Sequence, residues 1–219
     1  MMYETPELET ERLILKRGTY EDFVKVYEYD FTRLRNIDGE FEFVKYDPEK
    51  LKGYESLADE PYTIDFIVYK KDDLTPIGNL TLDRYNPENK SLEVSVNLHP
   101  SYWRRGYMTE AILHAMHYVF KNLDIDNIIY GYAEENFKSR GLSDKIGFDF
   151  YCDKIEHYIR LDKDIKERIT IMSREKFQQL YMVNGKIKMY TLNVNWISLH
   201  EINFKDFIYL IGIIIKRLL

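Results

Sequence analysis

The order of apolar patterns along this 219-residue chain predicts an α+β fold, with a mixed, mostly antiparallel central sheet, flanking helices and a C-terminal extension. Three observations carry that prediction. Residues 63–69, 76–82 and 92–98 are strand-like and are joined by the polar turns Lys70-Lys-Asp-Asp73 and Asn86-Pro-Glu-Asn-Lys90, the pattern of antiparallel neighbours. Beyond His99-Pro100 the apolar spacing becomes helical, with Met108, Ile112, Ala115, Met116, Val119 and Phe120 on one face. A strand, a helix and a strand then follow at 127–133, 136–146 and 148–152.

Taken in order, residues 11–17 alternate and read as a first strand. Residues 20–35 read as a helix with Phe23, Val26, Tyr27 and Leu34 inward. Residues 36–61 are acidic and rich in Tyr and Phe, and read as irregular or short helical structure. The helix after the central loop spans 106–123. Asn127-Ile-Ile-Tyr-Gly-Tyr-Ala133 is a strand, and the helix over 136–146 stops at Gly147, a typical C-terminal glycine. Residues 148–152 and 169–172 are the last strands, separated by charged residues. The sequence changes character near residue 182. Residues 183–219 carry a net +3, leaving −9 for residues 1–182. The expected division is therefore a domain over 1–182 and an extension of unknown role over 183–219. The tail at 208–219 is apolar with a basic end. It reads as a helix packed on the domain or on a second copy, as in a homodimer, in preference to an interfacial membrane helix.

With 45% hydrophobic and 31% charged residues, the chain can bury one sizeable core and carry an appendage. Its net charge of −6 argues against a nucleic-acid binder, which would show a basic stripe, and suits a cationic amine substrate. The single cysteine, Cys152, excludes a disulfide framework and a multi-cysteine zinc site, and fits a reducing cytoplasm. Nor does it have the histidine–acid spacing of an activated nucleophile. The five histidines show no metal spacing; His114 and His117 stand i, i+3 without a third ligand, so no metal is expected. The first residues are acidic and lack a signal-peptide core, and the uncharged run 207–215 is short of the roughly 20 residues a bilayer needs, so a cytoplasmic protein is expected.

The stretch richest in chemistry is Ser101-Tyr-Trp-Arg-Arg-Gly-Tyr-Met-Thr-Glu110, between a strand and a helix. The first turn of a helix offers unpaired N–H groups and the positive end of the macrodipole. Gly106 lets the backbone approach a ligand, and Arg104 and Arg105 add charge. Together they form a candidate pyrophosphate cradle.

The order of these signals resembles the GCN5-related N-acetyltransferase (GNAT) superfamily, most nearly its ribosomal-protein alanine N-acetyltransferase-like branch. Glu9-Thr-Glu-Arg-Leu-Ile-Leu15 resembles the opening strand of that branch. Residues 98–111 resemble its acetyl-CoA loop and following helix, and Asn136-Phe-Lys-Ser-Arg-Gly-Leu-Ser-Asp-Lys-Ile-Gly-Phe148 its second cofactor motif. Residues 169–177 resemble the closing strand and its exit. The resemblance covers about residues 8–182. It implies an acyl-CoA N-acyltransferase-like fold, acetyl-CoA as cosubstrate, and direct transfer of the acetyl group to a primary amine in a ternary complex, the amine being a protein N-terminus or a small molecule. The alternative is a catalytically silent acyl-CoA-binding or sensory module.

Residue by residue, the resemblance gives Val96, Asn97 and Leu98 the pantetheine arm, and Trp103, Arg104, Arg105, Gly106, Tyr107, Met108 and Thr109 the phosphates. The loop departs from the family pattern at Trp103, at Arg104 and at Met108, where a small residue is usual; either the Met108 side chain turns into the core or the cofactor shifts. Asn136, Ser139 and Arg140 fall to the second cofactor motif; by residue type alone, Asn136 and Ser139 are also helix caps. Glu93 stands where the family often carries a general base, and Glu134 and Glu135 are rivals. Ser143 stands where many members have a tyrosine acid, with Tyr151 a substitute. Tyr46, Tyr54 and Tyr62 fall in the region of the acceptor wall.

Overall fold

A computed structural model describes residues 3–27, 60–158, 163–183 and 186–188. The chain divides into two compact units, Met1–Lys188 and Met189–Leu219; the expected tail helix and all of residues 28–59, with Leu34, Tyr46, Tyr54 and most of the acidic 36–61 stretch, lie outside the described residues.

The first unit is built on an eight-stranded sheet: β1 (Leu8–Glu9), β2 (Leu13–Lys16), β3 (Ile64–Lys70), β4 (Pro76–Asn86), β5 (Ser91–Leu98), β6 (Asn127–Ala133), β7 (Asp149–Tyr158) and β8 (Lys163–Ser173), in the order β1-β2-β3-β4-β5-β6-β8-β7. Every neighbouring pair is antiparallel except β5–β6. That parallel pair needs a crossover, which α2 (Tyr107–Asn122) supplies. The other helices are α1 (Tyr20–Tyr27), α3 (Phe137–Ile146) and α4 (Arg174–Tyr181), and a small hairpin of β9 (Met182–Val183) and β10 (Lys186–Ile187) follows.

Register sorts the side chains onto two faces. Leu15, Val68 and Gly78 are level with one another, as are Phe66, Leu80 and Val96, and this face continues through Leu92, Ile128 and Met172. It packs under α2, whose Ala111, Ile112, Ala115, Met116 and Val119 are buried, and under α3, whose Ser143 meets Thr170 of β8. On the other face, Phe23 and Val26 of α1 cluster with Ile67 and Tyr69. Both layers exclude water from an apolar interior, which is the main drive for the fold. Gly78 is obligatory, because a Cβ there would collide with the carbonyl oxygen of Asn97 on β5.

Helix ends follow local chemistry. Asn136 caps α3 by accepting from Ser139 N at 3.0 Å, and Gly147 closes it in the left-handed region at φ 85°. Ser173 caps α4 by accepting from Lys176 N at 3.1 Å. Arg174 donates to the carbonyls of Phe120, Leu123 and Ile125 beyond the end of α2, a cation at the negative pole of the helix.

The last strands are longer than expected. The charged residues 153–158 and 163–168 do not separate two short strands; they form most of β7 and β8. Cross-strand ion pairs explain this: Asp153 meets Arg168 at 3.2 Å and Lys166 at 3.1 Å, and Lys154 meets Glu167 at 3.1 Å.

Candidate active site

β5 and β6 are hydrogen-bonded only over Ser91–Glu93 and Asn127–Ile129. Beyond that point β5 stays with β4 as far as Leu98, and β6 stays with β8 as far as Ala133. The two strands therefore part like a fork. Along its inner edges, every second residue turns backbone N–H and C=O groups toward the gap rather than toward β4 or β8. Val96, Asn97 and Leu98 line the far end of the β5 arm, where the sequence expectation placed the pantetheine.

Leu98 leads into the loop. His99 N donates to Ile77 O at 2.8 Å, and a single 3-10 turn covers Pro100–Tyr102. Trp103 folds back so that Nε1 donates to Leu98 O at 2.6 Å, with the Lys138 ammonium 3.8 Å from its ring centre. Trp103 thus joins the end of β5 to the start of α3. Arg104 and Gly106 both take left-handed backbone, at φ 60° and 79°. Arg104 and Arg105 are exposed. The first i−4 bond of α2 runs from Glu110 N to Gly106 O at 3.0 Å, so the N–H groups of Tyr107, Met108 and Thr109 point out of the helix end. The Met108 side chain is buried in the core, which leaves this cradle to the backbone.

An ion pair to a buried carboxylate holds the loop. Glu110 is 1% exposed, yet it accepts from Thr10 Oγ1 at 2.5 Å, Arg12 N at 2.9 Å and Arg12 Nε at 2.7 Å. Arg12 also donates through Nη1 to Arg105 O at 3.0 Å and stacks over Tyr107 at 4.7 Å. Sequence reasoning missed both residues. The available signal was a carboxylate on the buried face of an otherwise apolar helix.

Glu93 is the last β5 residue paired with β6, so its carboxylate sits where the fork opens. Asp83 lies directly across on β4. Arg84 Nη1 is 3.2 Å from both Glu93 carboxylate oxygens. Burial holds Asp83 above the ordinary aspartate range, with Arg84 opposing and the charge of Glu93 adding to the rise. Asp83 Oδ1 is buried and has no hydrogen-bond partner among the described residues. Gly131 faces Glu93 from β6: a Cβ there would stand 3.7 Å from Glu93 Oε1, in ordinary contact, and 3.2 Å from Ile169 Cδ1, the one tight approach. One level further along the same face, Asp65 is 2% exposed, accepts from Thr81 Oγ1 and is pushed up to about 6 by burial.

The remaining candidates are placed as follows. Glu134 is bound by Lys166 at 2.9 Å and Arg168 at 3.6 Å. Asn136 caps α3, Ser139 lies in the first turn of α3, and Arg140 faces solvent with Asp144 at 3.8 Å. Ser143 is fully buried, with its hydroxyl 3.1 Å from Thr170 Oγ1. Thr170 gives its own proton to Tyr130 O at 2.8 Å, so it takes the proton of Ser143 in that contact. The Ser143 hydroxyl, at the position where many family members have a tyrosine, is thereby engaged in packing α3 on the sheet. Beside it stands Tyr132, a buried phenol held above its ordinary range mainly by desolvation. Tyr130, on the same face, is pushed up to about 12 by burial, with the Ser139 hydroxyl opposing. Tyr151 is exposed on β7, with the whole of β8 between it and the fork. Tyr62 stacks on Tyr85 at 4.7 Å. Among the described residues, no three His, Cys, Asp or Glu side chains gather as a metal site, and no helix is long and apolar enough to cross a membrane.

A forked sheet, a glycine loop at one tip and a helix N-terminus behind it define an acyl-CoA-dependent transferase. The acetyltransferase (GNAT) domain family matches residues 12–149, and the chain belongs to that family. It is accordingly an acetyl-CoA-dependent N-acetyltransferase. It is 28% identical over 144 residues to the uncharacterized N-acetyltransferase YnaD of Bacillus subtilis, covering 63% of this chain and 79% of that protein. Its fold is similar to a GCN5-related N-acetyltransferase from Brucella melitensis, at TM-score 0.68 and 18% identity over 86% of this chain and 93% of the other. It is likewise similar to a ribosomal-protein-S5-alanine acetyltransferase from Vibrio fischeri, at TM-score 0.61 and 19% identity over 78% and 98%.

Proposed function

We propose that the chain acetylates a primary amine, on a protein N-terminus or a small molecule, that approaches the fork from the Glu93 side in a ternary complex within the cytoplasm. The observation that carries this reading is the parting of β5 from β6 immediately after Glu93, with the cradle at the far tip of β5. Bound acetyl-CoA supplies the thioester carbonyl and the thiolate leaving group. Arg104, Arg105 and the N–H groups of residues 107–109 hold its phosphates. Backbone groups of Val96–Leu98 align the pantetheine as an added strand, and the Leu98 N–H polarises the carbonyl.

Glu93 accepts the proton of the incoming ammonium, directly or through a water. Asp83, unpartnered at one oxygen and raised by burial, strengthens the attraction for that cation. Arg84 is exposed and can swing aside when an ammonium replaces it. The Tyr132 phenol stays protonated at neutral pH and hydrogen-bonds the leaving sulfur, whose proton comes from solvent. Its raised pKa makes it a hydrogen-bond donor here rather than a full acid. The ribosomal-protein branch reading favours a peptide N-terminus, and the acidic face fits either acceptor.

The test is thiol release from acetyl-CoA with purified protein and three acceptor sets: peptides with free N-termini, polyamines and aminoglycosides. Saturable turnover with one set, and a rise in melting temperature with acetyl-CoA alone, is the expected result. A rise without turnover on any set overturns the acceptor assignment, and no rise overturns the cradle.

A further inference from the structure

The sheet has two unequal edges. β1 is two residues long and blunt, whereas β7 spans Asp149–Tyr158 and ends the strand order among the described residues. A long edge strand presents a row of unpaired N–H and C=O groups, a template for another strand unless it is shielded. β7 also exposes large apolar side chains: Phe150 is 60% exposed, Tyr151 56% and Ile155 66%. A bulge interrupts its pairing between Phe150 and Cys152, after which it runs regularly from Cys152 to Tyr158 against β8.

Around Ile155 the charges are ordered: Asp153 and Lys154 precede it, and Glu156 and His157 follow. We propose that β7 pairs with β7 of a second copy, antiparallel and centred on Ile155, making a homodimer with one continuous sheet. A two-fold axis normal to the sheet sets Ile155 against its equivalent, Lys154 against Glu156 and Asp153 against His157. The alternation extends inward to β8. On one face the row reads Glu167, Lys154, then Glu156 of the second copy. On the other it reads Arg168, Asp153, then His157 and Asp164 of the second copy. The pairs within each copy already exist: Lys154–Glu167 at 3.1 Å, Arg168–Asp153 at 3.2 Å and His157–Asp164 at 2.8 Å.

Three neighbouring registers fail on charge. Centring the pair on Asp153, Lys154 or Glu156 sets like charges directly opposite one another, which is unfavourable. The Ile155 register also places the two most exposed aliphatic side chains of the strand in contact, and its isologous geometry closes on itself as a dimer. Because β8 stands between β7 and the fork in each copy, the interface is independent of the proposed acceptor site.

The test is sedimentation velocity of the full chain and three sets of variants. The expected parent is a dimer. Lys154→Glu alone places carboxylates opposite carboxylates, and Glu156→Lys alone places ammonium groups opposite ammonium groups; each weakens dimerisation roughly tenfold or more, as two such pairs occur per dimer. An equimolar mixture of the two variants restores the dimer, because the carboxylates of one now face the ammonium groups of the other. Circular dichroism of each variant checks that the fold is retained. Independently, Ile155→Cys in a Cys152→Ala background forms an intermolecular disulfide on mild oxidation, since directly opposed residues lie within disulfide reach. A monomeric parent, a dimer indifferent to both single charge reversals, or no cross-link at position 155 overturns the proposal.

Discussion

Arg12 of β2 clamps Glu110 in the first turn of α2, and through the same guanidinium holds the carbonyl of Arg105 in the cofactor loop. The strand, the loop and the helix N-terminus are thereby fixed as one piece. Glu110 lies at the positive pole of α2, so its charge is partly compensated without Arg12. Removing Arg12 still leaves a 1% exposed carboxylate short of its main partner. Arg12→Ala is expected to lower unfolding free energy by about 2 kcal/mol, discounted because Arg12 itself is 41% exposed. It also weakens acetyl-CoA binding, since the loop loses its anchor. Arg12→Lys recovers little of either, because a single ammonium cannot span the carboxylate and the carbonyl. Urea denaturation and calorimetric titration with acetyl-CoA measure both effects; unchanged affinity in Arg12→Ala would show that the loop holds its shape alone.

The cradle makes a separate prediction. Arg104 and Arg105 are exposed and contribute through long-range attraction to phosphate, which salt screens. The double variant Arg104→Ala/Arg105→Ala is expected to lose about tenfold in acetyl-CoA affinity at low salt and clearly less at 0.5 M salt, on the order of one to two surface ion pairs. Arg104 sits at φ 60°, so Arg104→Gly relieves backbone strain while removing the same charge. It should therefore be more stable than Arg104→Ala at equal affinity. Isothermal titration across a salt series, with melting curves in parallel, separates the two contributions.

Glu93 faces Asp83 across β4–β5 and is held by Arg84. Glu93→Gln is expected to reduce kcat by about 100-fold and leave acetyl-CoA affinity nearly unchanged, the usual scale for a positioned base. Arg84→Ala removes the cation that opposes the rise of Asp83. The acidic limb of the pH–rate profile should then move to higher pH, because the Asp83 carboxyl holds its proton more tightly. Steady-state rates between pH 5 and 9 read the shift. Full activity in Glu93→Gln would pass the base role to Asp83 or to Glu135.

Much of the frame is legible in the sequence where one physical signal dominates. Asn127–Ala133 reads as a strand because its apolar residues alternate, and α3 is marked at both ends by Asn136 and Gly147. The full length of β7 and β8 is hidden because their charges look like a loop until cross-strand pairs such as Lys154–Glu167 bring them into register. The loop at 103–109 is recognisable from its arginines and glycine, and the fork is implied by resemblance alone, because strand separation leaves no local pattern. Arg12–Glu110 is a contact across 98 positions, so neither residue signals the other. Ser143 occupies a motif position, but only its neighbours Thr170 and Tyr132 reveal that its hydroxyl serves the packing of α3.

Asp65 provides a pH signature that is independent of activity. It is 2% exposed on β3, accepts from Thr81 and is pushed up to about 6 by burial. Its folded-state carboxyl therefore binds a proton more tightly than the unfolded one, whose value is the ordinary 3.8. At pH 7 the folded protein bears the cost of an ionised buried carboxylate. That cost falls as pH drops through about 6 and is gone below the ordinary aspartate range. The full difference corresponds to about 3 kcal/mol. Asp65→Asn keeps an acceptor for Thr81 and removes the charge, so it is expected to stabilise the fold at pH 7 by an amount approaching that figure. The advantage should shrink through pH 5 and vanish near pH 3.5. Urea titrations of both proteins across that range test it; an advantage that stays constant with pH would mean that Asp65 binds its proton no more tightly in the fold than in the unfolded chain, its charge being compensated by Arg17.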